Sequence, residues 1–210
     1  MITSTDNKKI IEISKLNNKK YRKGNKLFIV EGEHLVEEAY KNGVLKEVYS
    51  LYETDYSNSY IVNDKVMRKI STLDTIPNII GVCENIKEKE LGNKILILDN
   101  IQDPGNLGTI IRSAVSFNID TIVLSNDTVD LYNPKVIRAT EGMIFNINII
   151  SRDLLEFIKN IKNEYKILGT NVVNGVELKN VEKYEKYAII MGNEGNGIKK
   201  EIQDSKERNT

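Results

Sequence analysis

The stretch that decides the fold begins with the apolar run Ile95-Leu-Ile-Leu98 and continues as Asp99-Asn-Ile-Gln-Asp-Pro-Gly-Asn-Leu-Gly-Thr-Ile-Ile-Arg-Ser-Ala114. A strand-like run is thus followed at once by a polar, glycine-containing turn. The same arrangement recurs later, where Tyr187-Ala-Ile-Ile-Met191 precedes Gly192-Asn-Glu-Gly-Asn-Gly197. In an open α/β sheet, turns that follow strands lie at the carboxyl edge, where ligands bind. The two turns therefore predict one shared ligand site.

The second half of the chain alternates between strand and helix patterns. Strands are predicted over residues 94–99, 121–124, 146–150, 166–169 and 187–191, and helices over residues 106–117, 134–140 and 153–163. Continuous apolar strands separated by helices predict an α/β fold with a parallel sheet covered by helices. The first half reads as a smaller α/β unit, and the polar stretch 84–93 is the best linker candidate. We predict domains over residues 1–90 and 91–210.

Composition excludes several classes of protein. The hydrophobic fraction is 40%, which is typical of a soluble globular chain, and no apolar run approaches the length of about 18 residues that spans a bilayer. The polar N-terminus lacks the apolar core of a signal peptide, so we expect a cytoplasmic protein. Cys83 and His34 are the single cysteine and histidine. We therefore expect no protein-ligated metal.

Positive charge is concentrated at the N-terminus although the chain as a whole has zero net charge. The first 26 residues contain eight basic side chains, Lys8, Lys9, Lys15, Lys19, Lys20, Arg22, Lys23 and Lys26. The acids there are Asp6 and Glu12. Such a segment is typical of a surface that contacts phosphates, and Tyr21 within it can stack on a base. The alternative is a solvated, partly disordered terminus.

The first turn combines residues that suit a ligand site. Gly105 and Gly108 allow close backbone approach, and Asn106 is expected to cap the following helix, whose first amides would then face the ligand. Arg112 is the charged residue of an otherwise apolar helix segment, and its planar fork suits Glu194 or a phosphate. The alternatives for Arg112 are a structural ion pair and an exposed helix charge.

The second turn does not fit the common nucleotide-binding motifs. Its glycine spacing is G-x-x-G-x-G, which differs from the dinucleotide motif G-x-G-x-x-G, and no Gly-Lys-Ser/Thr follows. A nicotinamide enzyme or a P-loop NTPase is therefore disfavoured. Taken alone, the segment can also be a glycine-rich surface turn.

Together these segments resemble the SpoU/TrmH (SPOUT) family of RNA ribose 2′-O-methyltransferases. The first signature corresponds to residues 103–114 and the second to residues 191–198. Between them, Asn133-Pro-Lys-Val-Ile-Arg-Ala-Thr-Glu-Gly142 resembles the segment that follows the family's third strand. Residues 21–36 resemble the start of the family's ribosomal-protein-like RNA-binding domain. The resemblance covers nearly the whole chain.

The resemblance implies an S-adenosylmethionine-dependent enzyme with a C-terminal α/β knot, one of the rare exceptions to unknotted topology. It implies catalytic roles for Asn106, Arg112 and Glu194, and a cofactor site near Thr170, Met191, Gly192 and Gly195. The N-terminal domain would bind structured RNA through Lys19, Lys20, Arg22 and Lys23. Large-subunit (23S) ribosomal RNA is favoured over transfer RNA, and the complete form would be a homodimer.

One family feature is not matched. The third signature, an Ile-Pro-Met-like run with a helix led by Ser-Leu-Asn, should follow soon after residue 200, where the chain instead reads Lys199-Lys-Glu-Ile-Gln-Asp-Ser-Lys-Glu-Arg-Asn-Thr210. We therefore expect a chain truncated before that motif, with an incomplete knot, weakened cofactor binding and impaired dimerisation. An inactive truncated paralogue or a non-catalytic RNA-binding protein is the alternative. An unrelated α/β nucleotide-binding enzyme is disfavoured by the glycine spacing.

Overall fold

The computed structural model describes residues 1–170, 180–193, 195 and 197–207. The elements in chain order are α1 (Lys8–Lys15), α2 (Lys19–Asn25), β1 (Leu27–Glu31), α3 (Glu33–Lys41), β2 (Leu45–Ser50), β3 (Ser59–Ile61), α4 (Asp64–Ile70), β4 (Ile79–Glu84), β5 (Lys94–Leu98), α5 (Pro104–Ser116), β6 (Thr121–Ser125), α6 (Pro134–Ala139), a 3₁₀ helix (Met143–Phe145), β7 (Asn148–Arg152), α7 (Leu154–Ile161), β8 (Lys166–Gly169), β9 (Tyr187–Met191) and α8 (Lys200–Glu207). None of the helices in these ranges is long and apolar enough to cross a membrane.

The chain forms two compact units. Unit 1 consists of Met1–Lys87 together with Asp130–Phe145, and unit 2 consists of Glu88–Val129 and Asn146–Thr210. The structure thus differs from a single division near residue 90, because the segment Asp130–Phe145 packs with the N-terminal residues. The division into RNA-binding and methyltransferase domains stays a prediction.

Unit 1 is built on a four-stranded sheet with the order β1-β4-β2-β3. β4 runs antiparallel to both of its neighbours, and β2 pairs with β3 in parallel. A core of eleven buried residues contains Ile10 of α1, Ile29 of β1 and Met67 of α4. Strand alternation leaves Phe28 on the opposite face of β1, where its ring stacks on Tyr132 with centroids 4.5 Å apart.

Two ion pairs hold the segment Asp130–Phe145 within unit 1. Arg22 Nη2 lies 2.6 Å from Asp130 Oδ2, and Arg138 Nη1 lies 2.7 Å from Glu31 Oε2. The Glu31 carboxylate also accepts hydrogen bonds from Ser71 Oγ and from the backbone N–H and hydroxyl of Thr72. A carboxylate buried with this many donors is well satisfied.

Unit 2 contains a five-stranded sheet with the order β7-β6-β5-β9-β8, in which every strand pair is parallel. The chain proceeds outward from β5 through β6 to β7 and then returns to the other side of β5 with β8 and β9. The strand order therefore reverses between β5 and β9, which is where ligands bind in open α/β sheets. The predicted α/β fold with a parallel sheet is confirmed.

Several helix boundaries differ from the sequence prediction. α5 begins at Pro104, and its N-cap is Asp103, whose side chain accepts the Asn106 N–H at 2.8 Å. The prediction that Asn106 caps the helix was wrong, since proline is favoured at the first helical position. α2 and α8 were not predicted as helices. Most of the basic N-terminal segment lies in α1 and α2, so the alternative of a partly disordered terminus does not hold.

Candidate active site

The turns after β5 and β9 are joined at the carboxyl edge of the unit 2 sheet. The Asp99 N–H donates to the Met191 carbonyl at 2.9 Å, and Asn193 Nδ2 donates to the Asn100 carbonyl at 3.0 Å. Asn100 has a φ of 57°, a left-handed conformation that asparagine tolerates. The structure thus brings together the two turns that the sequence places far apart.

The turn after β9 closes on itself so tightly that only glycine fits at its start. The backbone of Asn193 exchanges two hydrogen bonds with Gly197, at 3.1 and 2.8 Å. A Cβ on Gly192 would lie 2.1 Å from the carbonyl carbon of Gly197 and 2.2 Å from the Ile198 nitrogen. Gly197 itself has a φ of 63°. Both glycines are therefore required by the backbone path of the turn.

The loop after β6 joins the same edge. Ser125 Oγ accepts the Asn100 N–H at 2.8 Å, and Gln102 Nε2 donates to the Asp127 carbonyl at 2.6 Å. Three loops that follow neighbouring strands are thus cross-linked by side chain to backbone hydrogen bonds. Such links fix the loops relative to the sheet, which a catalytic site needs in order to hold its groups in position.

Lys199 provides the electrostatic link in this network. Its backbone N–H donates to Asp99 Oδ2 at 2.8 Å, and its ammonium group pairs with Asp127 and lies 3.6 Å from Asp99 Oδ1. The side-chain hydrogen bond with Asp127 raises the pKa of Lys199, and the same bond lowers the pKa of Asp127. Sequence reasoning missed this role, because Lys199 is one of many lysines in the chain.

Asp99 is the most deeply buried acid at this edge, with 1% of its surface exposed. Its Oδ1 accepts no hydrogen bond from the described residues, so the Lys199 ammonium is the charge that faces it. Burying a carboxylate is costly unless it is paired. The Asp99–Lys199 contact therefore explains how this carboxylate is tolerated beside the turn.

The predicted catalytic residues are placed by α5. Asn106 lies in the first turn of the helix and is half-buried, whereas Arg112 is exposed on the third turn. Within the part of the chain that the structure describes, the Arg112 guanidinium forms no ion pair. Glu194, the predicted partner of Arg112, lies outside the described residues.

The predicted cofactor residues lie at the ends of the adjacent strands β8 and β9. Thr170 is exposed, and both its N–H and its hydroxyl donate to the Ile190 carbonyl at 3.1 Å. The Met191 side chain at the end of β9 is 40% exposed. The Gly195 N–H donates to Asn193 Oδ1 at 2.8 Å. An exposed thioether beside a glycine-rich backbone fits the mixed apolar and polar surface of S-adenosylmethionine.

The predicted RNA-binding residues belong to α2 in unit 1, and one of them has a different role. Lys19, Lys20 and Lys23 are exposed. Arg22 is only 4% exposed, because its guanidinium is held by Asp130 and by the Leu16 carbonyl at 2.8 Å. A side chain committed to a buried ion pair is not available to phosphates. We therefore leave Arg22 out of the proposed RNA surface.

Two segments of the chain match known protein families. Residues 93–209 match the SpoU rRNA Methylase family, and residues 7–81 match an MRM3-like substrate binding domain. The chain belongs to the SpoU rRNA Methylase family. It is 36% identical over 207 residues to RlmP of Bacillus subtilis, a 23S rRNA (guanosine(2553)-2′-O)-methyltransferase. That match covers 94% of this chain and 84% of the relative.

Solved structures support the same assignment of the SpoU chain. An rRNA methyltransferase from Sinorhizobium meliloti, in its AdoMet-bound form, has a TM-score of 0.85 at 27% identity and covers 97% of this chain and 84% of its own. A putative RNA methyltransferase of the TrmH family from Porphyromonas gingivalis shares the fold with a TM-score of 0.87, at 24% identity and with 98% and 86% of the two chains covered. The predicted RNA 2′-O-methyltransferase family and its S-adenosylmethionine cofactor are confirmed.

Proposed function

We propose that this SpoU-family chain methylates a ribose 2′-hydroxyl of 23S ribosomal RNA with S-adenosylmethionine as the methyl donor. The 23S target follows the Bacillus subtilis relative, whose name gives a guanosine of that RNA. Because the relative that acts on 23S rRNA is a bacterial protein, we propose a cytoplasmic location. The homodimer also remains a prediction, and the molar mass in solution tests it.

The observation that carries the proposal is the joining of the two signature turns at the strand-order reversal of the unit 2 sheet. The Asn193–Asn100 and Asp99–Met191 hydrogen bonds hold them together there. Asn106 follows the first turn, and Met191 precedes the second. A ribose near α5 and a cofactor near the end of β9 would therefore be adjacent, as a direct methyl transfer requires.

We assign the chain's residues distinct parts in this reaction. The cofactor supplies an electrophilic methyl group on a sulfonium sulfur, which keeps the electron pair of the broken carbon–sulfur bond. Asn106 would position the ribose, and Arg112 would stabilise the negative charge that develops on the 2′-oxygen as its proton passes to solvent water and the oxygen takes the methyl group. A guanidinium stays protonated in proteins, so it is a poor proton acceptor. Glu194 would orient Arg112 through a bidentate ion pair.

In the proposed cofactor site, the backbone contributes more than the side chains do. Gly192 and Gly195 let the chain approach the cofactor closely, and Met191 offers apolar surface beside them. Thr170 ends the neighbouring strand, where its hydrogen bonds to the Ile190 carbonyl fix the edge of the pocket.

The proposal is tested by transfer of labelled methyl groups from S-adenosylmethionine to RNA. We expect incorporation into a 23S rRNA transcript, with the product mapped as a ribose 2′-O-methyl group, and little incorporation into transfer RNA. Binding of RNA without methyl transfer would instead support the non-catalytic alternative. If no methyl transfer is seen, titration calorimetry with S-adenosylmethionine shows whether the chain fails to bind the cofactor or binds it but does not recognise the RNA.

Variants of Arg112 test its assigned part. We expect Arg112→Ala to lower kcat by roughly 10²–10³, as for removal of one donor to a developing oxyanion. Arg112→Lys should also lose activity, because a lysine ammonium cannot reproduce the planar fork. The matched control is Arg152→Ala, which removes an exposed arginine of the same unit that pairs with Glu88. Full activity in Arg112→Lys would contradict any need for the fork.

A further inference from the structure

A groove in unit 1 is lined by residues to which the proposed function assigns no role. It lies between α1, α2 and the start of β1 and has a volume of about 340 Å³. Its lining residues are Glu12, Ile13, Lys15, Leu16, Tyr21, Asn25 and Leu27. This volume is in the range of ligand pockets.

The floor and the wall of the groove differ in chemistry. Ile13 and Leu16 are 6% and 3% exposed and form an apolar floor. The Tyr21 ring is 39% exposed at the wall, and the Lys15 ammonium lies 5.6 Å from its centroid. An apolar floor beside an accessible aromatic ring suits a flat, aromatic ligand that stacks on the ring.

Exposed lysines are close in sequence to the lining residues of the groove. Lys19, Lys20 and Lys23 lie in α2 and Lys26 follows its last residue, so they flank Tyr21, Asn25 and Leu27 along the chain. Together with Lys15, they form no ion pairs among the residues that the structure describes. Among the described residues that line the groove, Glu12 is the one acid. Unpaired cations beside an aromatic groove are complementary to the phosphates that flank a base in a single strand.

We propose that this groove binds one unpaired nucleobase of the substrate RNA by stacking on Tyr21, while the surrounding lysines contact the adjacent phosphates. The proposal rests on the proposed function in that the ligand is RNA, but it concerns a site in unit 1 that transfers no methyl group. Glu12 accepts hydrogen bonds from an exocyclic amino group and repels a carbonyl. The groove therefore favours cytosine over uracil.

The test measures binding of the full chain to a fluorescently labelled RNA hairpin with a single-stranded loop of cytidines. We expect Tyr21→Leu to weaken binding about tenfold and Tyr21→Phe to preserve it, because the ring stacks and the hydroxyl does not. Tyr52→Leu is the matched control, since Tyr52 is 42% exposed in the same unit but outside the groove. A photoreactive 5-iodocytidine in the loop should cross-link to Tyr21.

Salt dependence separates stacking from charge. Tyr21→Leu should leave the slope of log affinity against log salt unchanged, whereas Lys23→Met should reduce its magnitude by about one. A hairpin whose loop lacks bases should bind the wild-type chain and Tyr21→Leu equally. Glu12→Gln should reduce the preference for a cytidine loop over a uridine loop.

The proposal is overturned if Tyr21→Leu binds the cytidine loop as tightly as the wild type does, or if the full chain binds none of these RNAs. Retained folding of each variant is checked by thermal unfolding, and the abasic hairpin tests stacking without any change to the protein. Failure of the proposed function has a different signature. In that case the loop still binds through Tyr21, but no methyl group reaches 23S rRNA.

Discussion

Gly192 tolerates no side chain, because its neighbours are backbone atoms that cannot rotate away. A Cβ there would lie 2.1–2.2 Å from Gly197 and Ile198, far inside van der Waals contact. We expect Gly192→Ala to destabilise the protein by about 1–3 kcal/mol, the usual cost of overpacking. Displacement of the turn should also weaken the binding of S-adenosylmethionine. Urea unfolding and calorimetric titration measure the two effects.

Gly24→Ala is the matched control for that prediction. A Cβ at Gly24 would meet nothing within 4 Å, and the residue lies inside α2. Alanine is favoured over glycine in a helix, so this variant should be as stable as the wild type or slightly more so. Equal stability of Gly192→Ala and the wild type would contradict the close approach of Gly192 and Gly197.

Arg22 belongs to the basic N-terminal segment, but its side chain stabilises the fold through an ion pair with Asp130. Its side chain and that of Asp130 are 5% and 11% exposed. We expect Arg22→Met to cost about 3–5 kcal/mol, since it leaves a buried carboxylate without its partner. The double variant Arg22→Met with Asp130→Leu should recover much of that loss. Lys23→Met, at the exposed neighbour, should leave the urea midpoint unchanged.

The Asp127–Lys199 pair links the loop after β6 to the start of α8. The lowered pKa of Asp127 stabilises the fold above its ordinary value of 3.8, and this contribution is lost as the pH falls through the lowered value. The raised pKa of Lys199 stabilises the fold below its ordinary value of 10.5, and this contribution is lost as the pH rises through the raised value. Both side chains are nearly half exposed, so the pair contributes little, about 0–1 kcal/mol.

Removal of the lysine tests this link directly. We expect Lys199→Met to raise the pKa of Asp127 towards its ordinary value, because the hydrogen bond from the ammonium group is the largest cause of the shift. The hydroxyl of Ser125 still donates to Asp127, so the recovery is partial. NMR titration of the Asp127 carboxyl measures the change, and Lys200→Met is the neighbouring control. An unaltered titration in Lys199→Met would exclude the pair in solution.

The helices show which signals the sequence carries and which it lacks. The apolar strands and α7 follow from periodicity alone, because their buried residues recur at the expected spacing. The predicted start of α5 lies two residues after the observed one. Asp103 and Asn106 are both good N-caps, and only the position of Pro104 distinguishes them. α2 is nearly all polar, so it has no hydrophobic period. The Asn18 cap and the left-handed residue Lys26 define it instead.

The two turns of the candidate site were predictable as a pair, but the residues that hold them were not. Glycine-rich turns after apolar strands identify the carboxyl edge of the sheet. The Asn193–Asn100 and Lys199–Asp99 contacts, in contrast, each join two residues that are separated by 93 and by 100 positions in the sequence, respectively. No local pattern encodes such pairings. The same reason explains why the packing of Asp130–Phe145 with the N-terminal residues was missed.

The stability of unit 1 depends on two stretches of chain, which are separated in sequence by β5, α5 and β6. The segment Asp130–Phe145 supplies the partners of Arg22 and Glu31 and buries Val136, Ile137 and Ile144. A fragment of residues 1–87 therefore lacks both ion-pair partners. Because a buried charge without its partner is strongly destabilising, we expect that fragment to be much less stable than unit 1 of the full chain.

A fusion restores the missing segment and tests this dependence. Residues 1–87 joined through a long glycine–serine linker to residues 130–145 should unfold cooperatively, at a higher urea midpoint than residues 1–87 alone. The same fusion carrying Asp130→Asn and Arg138→Met keeps the apolar contacts of the segment but removes both ion pairs. Its midpoint should therefore fall between those of the other two. Equal midpoints for the fragment and the fusion would show that the N-terminal residues fold independently of Asp130–Phe145.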